Sequence, residues 1–481
     1  MRPAWPFPRA ALRCAVPDEH DVPAVSSRAR TALAGAVTAG AVGAVAWWMR
    51  GAITFAGTWP QNGTADALPL YLGVQTLRRG GDPTDAAALA QTYGDEQLSV
   101  LADTFSTLYP GTTSAILAPF VAPGWPTFAM AWHGVLLWSA VVAGAAGAMA
   151  GVPRARWPLA AALGALVATV GFPVALTCAR LGQVNLLLAA GAGLVQLALS
   201  VGLGGLAGAL LALGAGVKLV PLLAAWPLIA ARHRRAFVGA VVTGAALLGW
   251  TALSLPLTRV FLGVWDTLGY QSNASRFVVA GLPPGAPEWM NALVALRHLP
   301  LGLLTVVIAA RVGWSRRPGA LVGGVALVYA WLAADASAQH LLYLPLGLAS
   351  LAWVAVWPLA AGAPRWSVVG VLVALGAYAT FGPDWFAGHP AQFRAVVVAE
   401  AVWLVTAARA LHEAGPLARR DVVGLGAVVA VACALTLLPP SRPAPGPNGP
   451  PLSGAPPPGG PGDPQPWMRA TTPPTHPRQA P

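Results

Sequence analysis

The chain has 481 residues, of which 56% are apolar and only 10% charged, and its mean hydropathy is +0.61. Soluble domains carry about 25% charged residues, so this composition excludes an ordinary cytosolic enzyme and points to an all-α polytopic membrane protein. The net charge of +12 rests on arginine. It reads as cytoplasmic loops and not as a nucleic-acid surface.

Residues 1–30 hold Arg2, Arg9, Arg13, Arg28 and Arg30 without an apolar run. They read as a cytoplasmic N-terminal arm and not as a cleavable signal. A transmembrane domain follows over 31–438, with its first span at 31–48. The polar stretch 51–112, rich in acids, reads as a long first extracytoplasmic loop with short amphipathic helices near 65–80 and 85–104.

Further spans are expected at 126–150, 158–178, 185–201, 236–256, 299–314, 319–336, 341–360, 367–381, 395–410 and 421–438. The arginine clusters Arg154/Arg156, Arg232/Arg234/Arg235, Arg316/Arg317, Arg365 and Arg419/Arg420 should all share the cytoplasmic side. One crossing through 204–231 would violate that. A pair of short helices broken at Lys218-Leu219-Val220-Pro221 satisfies it, and Pro221 favours a break because it lacks a backbone donor. The bundle then holds about 11–13 helices. From residue 439 to 481 the chain is Pro/Gly-rich, cannot build a core, and reads as a disordered tail.

Ionisable groups at membrane depth are expensive and draw a functional reading. Lys218 is the chain's single lysine. Its ammonium needs an anion, and a ligand phosphate would serve. The competing readings are a snorkelling side chain or a structural pair with a carboxylate. His340, in Asp335-Ala336-Ser337-Ala338-Gln339-His340, lies between two spans at the outer face. It could donate to a phosphate or simply bond to backbone. The turn Arg180-Leu181-Gly182-Gln183-Val184-Asn185 offers amides for sugar hydroxyls, or a helix cap at Asn185. Gln271 and Ser272 stand in a second outer segment, 257–298.

Among the acids of the first loop, Asp66 lies closest to the first span and is the candidate general base. Asp82, Asp85, Asp95, Glu96 and Asp103 read as solvated loop charge. Cys14, Cys178 and Cys433 form no metal spacing or disulfide framework, and no phosphate-binding glycine loop occurs, so neither a metal nor another cofactor is expected.

Four stretches together resemble glycosyltransferase family 87, polytopic GT-C-class enzymes that use polyprenyl-phosphate mannose. They are Asp66 through Tyr71 to Gly80-Gly81-Asp82-Pro83 and Tyr109-Pro110; Gly182-Gln183-Val184-Asn185; Val217-Lys218-Leu219-Val220-Pro221; and Ser337-Ala338-Gln339-His340, with Gln271-Ser272 as a further match. The resemblance spans about residues 30–410. Val220, Ala338 and Tyr270 depart from the family pattern, at positions where it has threonine, tryptophan and asparagine.

The resemblance implies a GT-C-like bundle in the cell membrane with its active site on the extracytoplasmic side. The donor would be a polyprenyl-phosphate sugar and the acceptor an envelope glycolipid or glycan. Asp66 would act as base and Lys218 would hold the lipid phosphate. His340, Gln183, Asn185, Arg180, Tyr71, Gln271 and Ser272 would line the donor site. A transporter or flippase for an anionic substrate, or a noncatalytic relative serving envelope assembly, are the alternatives.

Overall fold

The computed structural model describes residues 27–57, 66–96, 109–121, 124–170, 173–256, 258–260, 288–334, 341–360 and 389–416. All of them belong to one unit, Met1–Thr436. Residues 1–26 of the N-terminal arm, the tail, His340, Gln271, Ser272 and the spans expected at 367–381 and 421–438 lie outside the described residues, while residues 27–30 of the arm already belong to the first helix.

Every described element is helical. The first helix, α1 (Ser27–Gly57), is followed by three short helices of the polar loop, α2 (Leu68–Arg78), α3 (Ala86–Asp95) and α4 (Gly111–Leu117). The bundle continues with α5 (Trp125–Ala150), α6 (Trp157–Thr169), α7 (Pro173–Leu181), α8 (Asn185–Ser200), α9 (Gly204–Val217), α10 (Trp226–Ala230) and α11 (Arg234–Ala252). It closes with α12 (Glu288–Trp314), α13 (Pro318–Ala334), α14 (Leu348–Ala355) and α15 (His389–Ala414).

Among the described residues, three helices are long and apolar enough to cross a membrane: Thr31–Ala52, Trp125–Ala150 and Arg234–Ala252. Their surfaces agree with that role. Trp47, Trp138, Phe237 and Val242 stand exposed along them, a surface suited to hydrocarbon and costly in water.

Three expected spans are built differently. The span at 158–178 divides into α6 and α7, with Pro173 opening the second helix. Proline tolerates a first turn but not a helix interior. The span at 299–314 starts eleven residues earlier, at Glu288. The span at 341–360 begins as a 3₁₀ turn, Leu341–Gly347, around Pro345.

Glycines set the helix spacing. A Cβ on Gly144 would strike the Gly164 backbone, and one on Gly208 the Ala236 carbonyl. Small residues let helix axes approach where lipid provides no hydrophobic drive. Gly182 lies by Trp132, and Gly193 by Ala143 and Ala146, so α5 and α8 run parallel.

The broken pair expected around Lys218 is present. α9 ends at Val217, Lys218 is extended (φ −157°, ψ 134°), and the 3₁₀ turn Val220–Ala225 leads into α10. The chain returns to the end it left, since Gly204 packs on His233. The same end holds Gly151, which accepts from Arg409 on α15, and Gly313, which abuts Ala230 and Ala231. The described arginine clusters at 154–156, 232–235 and 316–317 therefore gather at one end of the bundle.

Candidate functional site

At the opposite end, α7 closes in a glycine turn. Gly182 adopts φ +78°, its N–H donates to the Ala179 carbonyl (3.0 Å), and the Gln183 N–H donates to the Cys178 carbonyl (2.9 Å). This is the left-handed helix stop that glycine makes cheaply. α5 fastens the turn from the side. Trp132 Nε1 donates to the Gly182 carbonyl (2.9 Å), and His133 Nε2 lies 3.3 Å from the Arg180 carbonyl.

The polar loop docks onto this turn through backbone first. The Asp66 N–H donates to the Leu181 carbonyl at 3.0 Å. Gly182 is close enough to Ala67 that an added Cβ would meet the Ala67 Cβ at 2.5 Å. The Asp66 carboxylate then accepts from Gln183 Nε2. Two residues further along, Asn185 is fully buried, and its Oδ1 accepts from Lys218 Nζ at 3.2 Å. Lys218 is only 6% exposed and its ammonium lies 4.1 Å from the centre of the Tyr343 ring. A cation over an aromatic face is stabilised electrostatically, more so when desolvated.

One four-residue turn, Gly182–Asn185, thus carries a carboxylate on one side and an ammonium on the other. Burial pushes the Asp66 carboxyl above the usual range, while the Gln183 hydrogen bond and, next, the Lys218 charge pull it back. The Tyr109 phenol is raised too, by desolvation first and then by the negative charge of the Asp66 carboxylate.

A second clamp sets the Lys218 break. Thr112 Oγ1 donates to the Gly216 carbonyl (2.6 Å) and Thr113 Oγ1 to the Val217 carbonyl (2.9 Å). These are helix-end acceptors that α9 leaves without partners of its own. α4 therefore supplies the donors that proline and the extended Lys218 take away.

Asp103 lies outside the described residues, and the other loop acids have local structural partners. Asp85 caps α3 by accepting from the Ala87 N–H (2.9 Å). Asp82 accepts from Thr84 and lies 3.6 Å from Arg259. Asp95 and Glu96 pair with Arg79 at 2.8 and 2.5 Å. Tyr71 is wholly buried against Trp125 and Phe128, with its hydroxyl donating to Glu96 (2.9 Å). Burial, followed by the Glu96 contact, lifts that phenol to about 12.

Of the residues singled out from sequence, Asp66, Gln183, Asn185 and Lys218 come together. Arg180 sits at the start of the same turn, and Tyr71 occupies the aromatic nest beneath the loop. Tyr109, Tyr343, Thr112 and Thr113 were missed as site residues. Tyr109 and Tyr343 did carry a signal: one belongs to Tyr109-Pro110, and the other lies three residues beyond His340.

Residues 107–335 match the model of glycosyltransferase family 87. The family that the four motifs resemble is thus the family found. Its members are glycosyltransferases, so the enzyme class is transferase, and the apolar helices agree with a membrane glycosyltransferase. The matched segment holds Gln183, Asn185 and Lys218, whereas Asp66 precedes it and Tyr343 follows it. No curated protein and no solved structure matches the chain.

Proposed function

We propose that the protein transfers a hexose, mannose foremost, from a polyprenyl-phosphate carrier to a hydroxyl of an envelope glycolipid or glycan. The reaction is an inverting single displacement at the extracytoplasmic face of the cell membrane. The observation that supports it is the carboxylate and lone ammonium held on either side of Gly182–Asn185, at the end of the bundle away from the arginine clusters at 154–156, 232–235 and 316–317.

Asp66 accepts the proton of the acceptor hydroxyl. That oxygen attacks the anomeric carbon, and the bond from this carbon to the phosphate oxygen breaks. Lys218 meets the charge that the departing phosphate gains. A carboxyl raised by burial suits this work, because a base is most effective when it titrates near the working pH. Gln183 and Asn185 position the two charged groups. Arg180, Tyr71, His340, Gln271 and Ser272 complete the donor site. Tyr343 sets the direction of the Lys218 side chain.

The test incubates purified protein with labelled polyprenyl-phosphate mannose or glucose and with envelope lipids, and asks what becomes labelled. Asp66→Asn should abolish transfer while the protein inserts and retains the donor. Lys218→Met should weaken donor binding. Near-normal turnover by Asp66→Asn removes the base from the reading, and unchanged donor affinity in Lys218→Met removes the phosphate contact.

A further inference from the structure

A cavity of about 610 Å³ opens at the arginine end of the bundle, remote from the Asp66–Lys218 pair. Arg232, His233, Arg234, Arg235 and Arg316 line it, and no carboxylate does. Among the described residues, no hydrogen bond or ion pair holds the side chains of Arg232, Arg234, Arg235 or Arg316. His233 Nδ1 accepts from the Ala236 N–H (3.2 Å), which leaves Nε2 as the ring's donor. Such a concentration of unanswered donors around one void creates a strongly positive potential.

Two of these arginines occupy unusual backbone positions. Arg232 (φ 54°) and Arg316 (φ 55°) are the non-glycine residues with left-handed backbone among the described residues. Each ends a helix where glycine would fit without strain. Both belong to this one cavity, so the strain coincides with the charge.

The rest of the wall is apolar. Leu199, Pro318 and Leu321 line the void. Beside it in sequence, Leu203, Ile229, Phe237 and Val238 are all more than half exposed. A ligand that fits has an anionic head for the cations and hydrocarbon for this apolar flank. We propose that this cavity binds a phosphate-bearing anion, namely the headgroup of an anionic phospholipid with its acyl chains along α10 and α11. The inference stands apart from the glycosyl-transfer reading, since none of these residues belongs to that site.

The test uses the full chain in phosphatidylcholine nanodiscs. Phosphatidylglycerol is titrated in, and retained lipid is counted by native mass spectrometry. The key variant is Arg232→Gly/Arg316→Gly. It removes two cations while giving both positions the residue their backbone favours, so the protein should remain monodisperse with a melting temperature at or above wild type. Arg235→Ala is added in a third protein. At roughly fivefold per cation near an anionic headgroup, affinity for phosphatidylglycerol should fall about 25-fold in the double variant and about 125-fold in the triple variant.

Arg154→Ala/Arg156→Ala, on the same face but outside the cavity, should change it little. A comparable loss in that control overturns the site in favour of general surface charge. Equal retention by wild type and the triple variant overturns it as well. Saturable binding of inorganic phosphate or pyrophosphate in phosphatidylcholine nanodiscs, with no preference for phosphatidylglycerol, overturns the lipid as the source of the phosphate.

Discussion

The hydrogen bond from Gln183 to Asp66 can be tested without substrate. Gln183→Leu keeps the volume of the side chain but removes the donor from a partly buried carboxylate. A hydrogen bond to a charged group contributes about 1.5–3 kcal/mol, and this one favours the ionised carboxylate. The Asp66 carboxyl, already above its ordinary range, should therefore titrate higher still in the variant.

Lys218→Met should move it the same way but less, because the Lys218 charge favours the carboxylate less than Gln183 does. The sign follows from linkage. A carboxyl raised on folding binds its proton more tightly in the native state, so its contribution favours the fold at low pH. That contribution is lost as pH rises from the ordinary carboxylate range through the raised value. The base form, and activity with it, appears over the same rise.

The assay follows the pH dependence of Asp66 modification by dicyclohexylcarbodiimide, which attacks protonated carboxyls, with the labelled peptide quantified by mass spectrometry. Wild type, Lys218→Met and Gln183→Leu should lose labelling at successively higher pH. A Gln183→Leu midpoint equal to or below that of wild type would refute the arrangement.

Gly182→Ala should destabilise the protein by about 2 kcal/mol or more, because left-handed backbone costs an L-residue about 1–2 kcal/mol and the new methyl would strike Ala67. Thermal unfolding in detergent measures this, and an unchanged midpoint would contradict the docking of loop on turn. Arg409 is buried, donates to the Trp353 and Gly151 carbonyls and lies over the Trp353 ring, so Arg409→Met strands two acceptors. At about 1–3 kcal/mol per stranded group, a loss of several kcal/mol is expected, and a variant as stable as wild type would show the latch to be dispensable. Thr113→Val should lose about 1 kcal/mol for its hydrogen bond to Val217. It should also lower donor affinity through Lys218; a stability loss with donor affinity intact would separate the clamp from the site.

The sequence alone determined the elements whose cause is local. Apolar composition made helices, because a chain with few charges must satisfy its backbone internally. Pro221 beside Lys218 announced the break, since proline interrupts a helix wherever it occurs. The arginine clusters announced which turns share an end. Gly182-Gln183-Val184-Asn185 announced a polar turn.

Tertiary structure alone decided which partners those groups take. Gln183 reaches an aspartate 117 residues away, and Asn185 receives a lysine 33 residues on. Tyr343 supplies the ring beneath that lysine, and Thr112 and Thr113 close on carbonyls more than 100 residues distant. The same holds for the loop acids. Asp85, Asp95 and Asp66 look alike along the chain and differ only in whether an α3 N-terminus, an arginine or the α7–α8 turn lies opposite. Helix type follows from neighbours within a turn or two. The meeting of distant side chains depends on helix axes set by contacts such as Gly144 on Gly164 and Gly208 on Ala236, and those contacts form only once the helices pack.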